Sequence, residues 1–450
     1  MNYEISDFIS KCKKAKETLL SFDNPIVIHH YDCDGISSGA IISQFLDENK
    51  ISHELICTKK LDENFFKELK KRNDFNKREY IFTDLGSSSE FLNELKKVII
   101  IDHHQKLVDF QNHVIYVNAM EYGYDGSHDM SSSTTCYFVT ETAIELGILG
   151  AVGDMQYPFK RGLNQEMLAL ALKGNRVEIA EDLILFGKGT RNLVELLAYS
   201  FEPYLPGLST DYQLSKKLVL DCGLDPELKY YDLTNKQKKT FVSAIVEFLI
   251  DRNYSSIANK LVSTVYRFPR FKNLNYLYDV HEFSTLINAC GRNGRCDLGI
   301  DICKLNLNTL KEAEEILEVH RRKLSDSIQF AINNYLTFDN YYLIDGRSKI
   351  PEELIGIVCS MLGLRDKPVI GIAYDYNGNI KVSGRATKEL VDNGLNLGEL
   401  MSLSAQKFGV NGGGHKIAAG AVIYEKNLNE FLKFASLIIA EQLNKKRKLN

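Results

Sequence analysis

Residues 26–48, IVIHHYDCDGISSGAIISQFLDE, decide the fold class of this chain. The stretch opens with an apolar run at Ile26–His29, passes through an acidic turn that contains glycine, and ends in a helix predicted at Ser38–Glu48. Short β-rich runs and helical runs continue to alternate up to Val117, which predicts an α/β fold whose N-terminal part is a doubly wound, mostly parallel sheet. Further strands are predicted at His53–Cys57, Tyr80–Thr83, Val98–Ile101 and Val114–Val117, and further helices at Glu63–Lys71 and Ser88–Leu95.

The rest of the chain changes character twice. The pattern is mainly helical over 164–306, and a long amphipathic stretch predicts a connector helix over 307–336. A second, smaller α/β unit is predicted for 337–450, which leaves 1–163 as the domain that carries the acidic motifs. Within the last segment, strands are predicted at Tyr341–Ile344, Val369–Ala373 and Ile380–Ser383, and a helix at Pro351–Leu362.

The composition is that of an ordinary globular protein. Of the 450 residues 44% are hydrophobic and 25% are charged, and the formal net charge of -4 neither supports nor excludes nucleic-acid binding. No apolar run reaches the roughly 18 residues of a membrane span, and the N-terminus lacks the apolar core of a signal peptide. We therefore expect a cytoplasmic protein without a membrane partner. None of the nine cysteines forms a CxxC pair, so reduced thiols are expected.

Acidic residues follow several of the predicted strands. Because ligands of open parallel sheets bind outside the carboxyl ends of the strands, these aspartates are expected to converge at one edge. So many carboxylates would repel one another unless divalent cations were bound between them. A lone aspartate after a strand is usually a helix cap or a turn residue, but four such segments in one order favour a metal site. The segments are HHYDCDG at 29–35, TDLG at 83–86, IDHH at 101–104 and GAVGDMQ at 150–156.

The mixture of ligand types indicates which metal to expect. Carboxylate oxygens combined with imidazole nitrogens suit manganese, and magnesium less well. A pair of divalent ions is the usual means of activating water against a phosphodiester. The motifs therefore predict a phosphoesterase with two Mn²⁺ ions, for which Mg²⁺ is a substitute.

The same motifs resemble those of a known family, the DHH phosphoesterase superfamily, whose name is spelled by Asp102, His103 and His104. HYDCDG, TDLG and GAVGD resemble its first, second and fourth motifs. SGRAT at 383–387 and NGGGHKIAAGA at 411–421 resemble the DHH-associated substrate-binding domain. EFSTLINACGRNG at 282–294 is similar to archaeal RecJ-like nucleases, including the replisome-associated GAN group.

This resemblance implies roles for individual residues in the first domain. It implies that Asp84 bridges both ions and that Asp102 orients a ligand histidine. It implies that His104 contacts the scissile phosphate or protonates the leaving oxygen. His29 remains an alternative to His30, because relatives place the histidine of the first motif at different offsets. The implied metal ligands are His30, Asp32 and Asp84 for one ion, and Asp34, Asp84, His103 and Asp154 for the other.

The C-terminal motifs imply a phosphate-binding role. Consecutive glycines let backbone N–H groups approach an anion closely, although a plain turn would also explain them. Arg385 and His415 would add charge-assisted hydrogen bonds to phosphate. The implied substrate-binding residues are Arg385, Gly412, Gly413, Gly414 and His415.

Two other segments leave alternatives open. SSSTT at 131–135 precedes a predicted helix, and it would either cap that helix or contact phosphate at the helix N-terminus. YRFPRFK at 266–272 interleaves aromatic and basic residues, which fits either a packed surface hairpin or a single-strand binding surface.

The predicted function is that of a two-metal-dependent, single-strand-specific exonuclease of the RecJ-like kind. It would hydrolyse terminal phosphodiester bonds in DNA, RNA or both, in replication or repair. One alternative is an oligonucleotide or small-substrate phosphodiesterase that resembles a nanoRNase or a pAp phosphatase. Another is a replisome scaffold subunit with a secondary nuclease activity. The resemblance implies single-stranded nucleic acid and replication or repair proteins, such as the archaeal GINS complex, as partners; the sequence leaves open polarity, oligomeric state and the choice of DNA or RNA.

Overall fold

The computed structural model describes residues 5–200, 203–362, 364 and 366–447. The chain forms two compact units, each assembled from three stretches of sequence. The first unit consists of Met1–Asn192, Lys229–Lys238 and Asn259–Glu318, and the second of Leu193–Leu228, Lys239–Ala258 and Val319–Asn450. The predicted division at 163/164, 306/307 and 336/337 stays a prediction.

A parallel five-stranded sheet forms the centre of the first unit, as predicted. Its strand order is β2-β1-β3-β4-β5, and every neighbouring pair runs parallel. All five predicted strands are confirmed. The strands are β1 (Ile26–His30), β2 (Glu54–Thr58), β3 (Tyr80–Thr83), β4 (Val98–Ile101) and β5 (Val114–Val117).

Alternate residues of these strands pack into separate hydrophobic cores. Val27 and Ile81 belong to one core, whereas Ile28 and Phe82 belong to the other. Successive side chains of a strand point to opposite faces, so both faces of the sheet are covered. Within residues 5–174, all of which the structure describes, the α-helices are α1 (Ile5–Leu20), α2 (Cys33–Glu48), α3 (Glu63–Lys70), α4 (Ser132–Thr140), α5 (Ile144–Gly153) and α6 (Gly162–Lys173).

Two of the predicted helices differ from the structure. The helix predicted from Ser38 begins at Cys33, because the Asp32 side chain accepts the Gly35 N–H and caps the first turn. The helix predicted at Ser88–Leu95 is wrong, since only the 3₁₀ turn Glu90–Glu94 forms there. The backbone N–H groups of this turn bond to the carbonyl three residues earlier, as Leu92 does to Ser89, which is the 3₁₀ pattern.

The middle of the chain is mainly helical but also contains an antiparallel pair of strands, which the sequence did not predict. The aromatic rings of Tyr266, Phe268 and Phe271 are buried, so the YRFPRFK segment is packed against the core. The strands are β6 (Glu178–Leu183) and β7 (Val262–Arg267). The helices are α7 (Leu193–Ala198), α8 (Tyr212–Asp221), α9 (Asn235–Ile250), α10 (Ser255–Ala258), α11 (Asn275–Tyr278), α12 (Val280–Arg292), α13 (Cys296–Cys303) and α14 (Leu310–Asn334).

The C-terminal part of the second unit is a smaller α/β domain, as predicted. Its mixed six-stranded sheet has the order β12-β13-β11-β10-β9-β8. The strands are β8 (Leu336–Thr337), β9 (Tyr342–Asp345), β10 (Val369–Tyr374), β11 (Ile380–Arg385), β12 (Gly409–Gly414) and β13 (Ala418–Ile423). The helices are α15 (Glu352–Met361), α16 (Lys388–Asp392), α17 (Leu397–Phe408) and α18 (Leu428–Arg447).

The cysteines differ from the sequence expectation in one respect. Cys57 and Cys296 form a disulfide, although reduced thiols were predicted. The pair is separated by 239 residues of sequence, and only the packed fold brings the two together. The other seven cysteines are free, and six of these are buried. Across the residues that the structure describes, no helix combines the length and apolar character that a membrane crossing requires.

Candidate metal centre

The acidic motifs meet where three neighbouring strands end. β1, β3 and β4 lie side by side and parallel, so their carboxyl ends share one edge of the sheet. Asp32 caps α2 just after β1, Asp84 follows β3, and Asp102 follows β4. Asp154 arrives from a different direction, as the C-terminal cap of α5.

Asp34 is buried in the first turn of α2 and is held by the start of α4. Its carboxylate accepts the backbone N–H groups of Ser132 and Ser133, at 2.7 and 3.0 Å. Burial raises the pKa of Asp34 to about 7, and the neighbouring charge of Asp84 adds to that shift. Gly150 of α5 leaves room for this carboxylate, since a Cβ there would lie 2.5 Å from Asp34 Oδ1.

Asp84 lies at the centre of the cluster. Its Oδ2 is 3.2 Å from His30 Nδ1, and its Oδ1 is 3.3 Å from His103 Nε2. The Ser132 hydroxyl donates to the same Oδ1 at 3.1 Å. Burial alone would raise the pKa of Asp84, but the hydrogen bonds to the two imidazoles outweigh burial and lower it. The backbone of Asp84 has a φ of 61°, which is uncommon outside glycine and occurs often at functional sites.

His103 presents one defined ring nitrogen to the cluster. Its Nδ1 lies 2.7 Å from the Gly126 carbonyl oxygen, which can only accept, so Nδ1 carries a proton. The Nε2 atom therefore faces Asp84, and it lies 3.9 Å from Asp34 Oδ2. Gln156 donates to Asp154 Oδ2 at 2.7 Å and to the same Gly126 carbonyl at 2.9 Å, which joins the fourth motif to His103.

The two histidines of the first motif face different surroundings. His30 Nδ1 lies 3.0 Å from Asp32 Oδ2 and 3.2 Å from Asp84 Oδ2, inside the cluster. His29 is buried away from the cluster, with its Nδ1 bonded to the His30 carbonyl at 2.8 Å. Burial lowers the pKa of His29 to about 4, so its ring is neutral. The geometry places His30 rather than His29 among the groups that could hold a metal.

Both carboxylate oxygens of Asp102 accept hydrogen bonds. Its Oδ1 accepts from the N–H groups of His103 and His104 and from His104 Nδ1, and its Oδ2 accepts the Ser87 N–H. The histidine that it orients is thus His104, while the ring of His103 is held by Gly126. The bond to Asp102 raises the pKa of His104, whose side chain is 57% exposed.

The arrangement fits divalent ions. Buried carboxylates with imidazole nitrogens are hard donors of the type that Mn²⁺ and Mg²⁺ accept. A cation would also restore the charged form of Asp34, whose pKa burial has raised. Among the described residues, three groups each bring three ligand atoms within 4.8 Å of one another: His30, Asp32 and Asp84; Asp34, His103 and Asp154; and Asp84, His103 and His104.

Several supporting residues were not predicted from the sequence. Ser131 caps α4, which was one of the two alternatives for the SSSTT segment. Ser132 and Ser133 also donate hydrogen bonds to the carboxylates of Asp34 and Asp84, and neither alternative included these bonds. Gln156 is the last residue of the quoted GAVGDMQ segment, two positions after Asp154, so its place in that motif was the available signal. Asn288 Oδ1 accepts the Cys33 N–H at 2.9 Å, and it lies in the EFSTLINACGRNG segment that carried part of the family resemblance.

The C-terminal candidate residues lie at one end of the second sheet. Gly412, Gly413 and Gly414 belong to the edge strand β12 and pair with β13, so they form a strand rather than a loop. A Cβ on Gly412 would lie 2.5 Å from the Met401 carbonyl oxygen, so close packing of α17 requires glycine there. The exposed His415 follows β12, and its N–H bonds to the Ala418 carbonyl.

Arg385 lies on β11, directly across from Ala418 of β13, and therefore near the same sheet end as His415. Its Nε is 3.0 Å from Ser360 Oγ, and one terminal nitrogen donates to the Gly384 carbonyl at 2.8 Å. Both of these partners are uncharged, and burial lowers the pKa of Arg385. An anion placed at this sheet end would compensate the charge of the guanidinium.

Comparison with known proteins identifies the family. Residues 24–174 match the DHH family, N-terminal domain, residues 185–262 match the DHH-CID domain, and residues 339–441 match the DHHA1 domain. The uncharacterized protein MJ0831 of Methanocaldococcus jannaschii is 34% identical over 451 residues, which cover 97% of this chain and 98% of that protein. The chain belongs to the DHH phosphoesterase superfamily and is RecJ-like, which makes it a hydrolase of the metal-dependent phosphoesterase class.

Solved structures share this fold at low sequence identity. RecJ with Mn²⁺ from Thermus thermophilus has a TM-score of 0.59 and 15% identity, over 98% of this chain and 55% of that chain. CDC45 from Entamoeba histolytica has a TM-score of 0.63 and 12% identity, over 97% and 99%. A manganese-bound exonuclease RecJ has a TM-score of 0.57 and 15% identity, over 98% and 95%. The chain thus spans about half the length of the Thermus RecJ chain.

Proposed function

We propose that this protein is a manganese-dependent, single-strand-specific exonuclease that removes terminal nucleotides from DNA, RNA or both, in replication or repair. The observation that supports the proposal most is the convergence of carboxylates and imidazoles at one edge of a RecJ-like sheet. The residues that converge are His30, Asp32, Asp34, Asp84, His103 and Asp154.

In this proposal Asp84 serves both metal positions. One of its carboxylate oxygens faces His30 and the other faces His103, which is the arrangement that a bridging carboxylate needs. Bound divalent ions would lower the pKa of a water molecule and offset the charge of the phosphodiester. Mg²⁺ is the expected substitute for Mn²⁺. The proposed ligand sets are His30, Asp32 and Asp84 for one ion, and Asp34, Asp84, His103 and Asp154 for the other.

His104 is the proposed proton donor of the site. Asp102 occupies its Nδ1 at 2.7 Å, so Nε2 is the nitrogen left for a substrate. The nearby carboxylate raises the pKa of His104, which favours the protonated ring at neutral pH. A protonated, half-exposed imidazole can donate to a phosphate oxygen or to the leaving oxygen, while Asp102 keeps the ring oriented.

For the C-terminal domain we propose phosphate binding by Arg385, His415 and the backbone of β12. The support is that both side chains lie near the same end of the sheet and that β12 is an edge strand. An edge strand has N–H groups without partners in the sheet, and these can donate to an anion. This binding would hold a nucleic-acid backbone rather than act on the reacting bond.

The proposed partners are single-stranded nucleic acid and replication or repair proteins, with the archaeal GINS complex as the first candidate. The likeness of the whole chain to CDC45 in length and fold supports keeping a replisome subunit with secondary nuclease activity as a second candidate. The carboxylate and imidazole groups are all present here, which favours an active enzyme over a purely structural subunit.

Digestion of end-labelled strands tests the proposal. Single-stranded DNA, single-stranded RNA, a duplex and a dinucleotide are incubated with the protein in Mn²⁺, in Mg²⁺ and in excess EDTA. We expect stepwise shortening of single strands in Mn²⁺, slower shortening in Mg²⁺ and none in EDTA. Digestion of the dinucleotide alone would favour the small-substrate alternative. Full activity in EDTA would contradict the metal-dependent site.

A further inference from the structure

Two exposed apolar side chains flank the candidate metal centre along the chain. Among the described residues of the first unit, Leu107 and Met155 are the most exposed large hydrophobic side chains, at 67% and 63%. The next is Leu170, at 48%. Leu107 lies three residues after His104, and Met155 directly follows Asp154. The greatest apolar exposure of this unit therefore lies beside the motifs that form the site.

Met155 occupies a backbone position that usually belongs to glycine. It has a φ of 59° just after α5, and its N–H donates to the Val152 carbonyl at 3.0 Å. The Gln156 N–H donates to the Ala151 carbonyl at 3.1 Å, which completes a helix-ending motif that favours glycine. A methionine in this conformation destabilises the fold, and packing of its side chain offsets little of that loss, since most of the side chain is exposed.

The backbone conformation alone does not identify a function. Lys50 ends α2 in the same way, with a φ of 59° and the same pair of bonds. Lys50 presents a charged side chain to water, however, whereas Met155 presents an apolar one directly after Asp154. The combination of strain, apolar exposure and position distinguishes Met155 from Lys50.

Leu107 is held firmly although its side chain is exposed. Its N–H donates to the Ser87 carbonyl at 2.8 Å, and the Ser87 N–H donates to Asp102 Oδ2 at 2.9 Å. The backbone of Leu107 is thus tied to the hydrogen bonds that orient His104. An apolar side chain on a fixed backbone is suited to contact a ligand, because little conformational freedom is lost on binding.

We propose that Met155 and Leu107 contact the nucleobases next to the phosphodiester held at the metal centre. Carboxylates, imidazoles and metal ions recognise only the phosphate, which all phosphodiesters share. The nucleobase is the apolar, flat part of the substrate, and burying it against apolar side chains is favourable whatever its sequence. The site would thereby select base-bearing strands over other phosphodiesters. This inference rests on the proposed function.

The test combines protein variants with abasic substrates. kcat/KM is measured for a single strand and for the same strand with abasic residues at the two terminal positions of the digested end. The proteins are the wild type, Met155→Gly, Met155→Leu, Leu107→Ser and Lys50→Gly as the matched backbone control. Melting temperatures are recorded for all of them.

We expect base removal to lower kcat/KM of the wild type and of Lys50→Gly about a hundredfold, which is about tenfold for each of the two apolar contacts that are lost. Met155→Gly and Leu107→Ser should be about tenfold slower on the ordinary strand and less sensitive to base removal. Met155→Leu should retain most of the wild-type rate. Met155→Gly should melt no lower than the wild type, because glycine relieves the strained position.

The outcomes separate this inference from the proposed function. Equal sensitivity to base removal in all variants would overturn the inference, as would a wild type that digests abasic and ordinary ends equally well. A wild type that digests no strand at all would instead overturn the proposed exonuclease function. A lower melting temperature of Met155→Gly with unchanged kcat/KM would show a purely structural role and overturn the inference as well.

Discussion

The Ser132 hydroxyl gives a sharp test of how the centre is built, because it donates to Asp84 Oδ1 while the backbone of the same residue donates to Asp34. Ser132→Ala removes only the hydroxyl bond, since the backbone N–H remains. Hydrogen bonds to charged groups contribute about 1.5–3 kcal/mol. The distance of 3.1 Å is longer than the usual O–H···O bond, so we take the lower end of that range.

That energy predicts a specific loss. About 1.5 kcal/mol corresponds to roughly tenfold in an equilibrium constant, so Ser132→Ala should weaken Mn²⁺ affinity or lower kcat about tenfold. Residues that support metal ligands typically change affinity or activity by about 10–100-fold, which agrees with this value. The matched control is Thr135→Val in the same helix, whose buried hydroxyl donates to the Ser131 carbonyl. The control should lose stability by about 1 kcal/mol and keep its activity.

Mn²⁺ titration calorimetry, single-strand digestion and thermal melting are measured for both variants. We expect that only Ser132→Ala changes metal affinity or kcat. If Ser132→Ala kept the wild-type Mn²⁺ affinity and kcat, the hydrogen bond from Ser132 to Asp84 would not support the site. Equal losses of activity in the two variants would also refute the reasoning, because they would indicate a general loosening of α4.

Three further predictions concern other parts of the protein. Asp84→Ala should abolish turnover at saturating Mn²⁺, whereas Asp102→Ala should lower it about 10–100-fold; equal residual rates in digestion assays would contradict the bridging role. Burial lowers the pKa of His30, but hydrogen bonds to Asp32 and Asp84 outweigh it and raise the pKa to about 11 in the metal-free protein. The hydrogen bonds of protonated His30 therefore stabilise the metal-free fold. This stabilisation is complete below pH 6.5, the pKa of the unfolded histidine, and is lost as the pH rises through 11. Metal binding must displace the proton of His30, so Mn²⁺ affinity should fall as the pH falls. Calorimetry in buffers of different ionisation enthalpy should detect the released proton. Binding of Mn²⁺ without proton release would argue against imidazole ligands. His415→Ala should raise KM for single strands several-fold and leave Mn²⁺ content unchanged, since a phosphate contact acts on substrate binding; an altered metal content would assign His415 to the metal site.

The architecture was largely predictable because its signals are local. Continuous apolar runs such as Val98–Ile101 marked strands that are buried on both faces. Aspartates directly after those runs then had to share one sheet edge. The helix start at Cys33 was missed because an acidic segment with glycine reads as a turn, whereas Asp32 uses it to cap α2.

Other features depend on contacts between distant residues, which spacing does not reveal. The choice between His29 and His30 depends on which of two adjacent side chains faces Asp84. The bond from the Ser132 hydroxyl to Asp84 spans 48 residues of sequence. The strand β12 was read as a glycine loop because glycine normally disfavours strands, and its close packing against α17 is a tertiary effect.

Anomalous diffraction from a crystal grown with Mn²⁺ tests most directly whether two metal ions share Asp84. We expect two manganese peaks at the carboxyl edge of the parallel sheet. One should be bound by His30 and Asp32, the other by Asp34 and His103, and Asp84 should contact both. A single peak, or peaks that exclude Asp84, would contradict the two-metal centre.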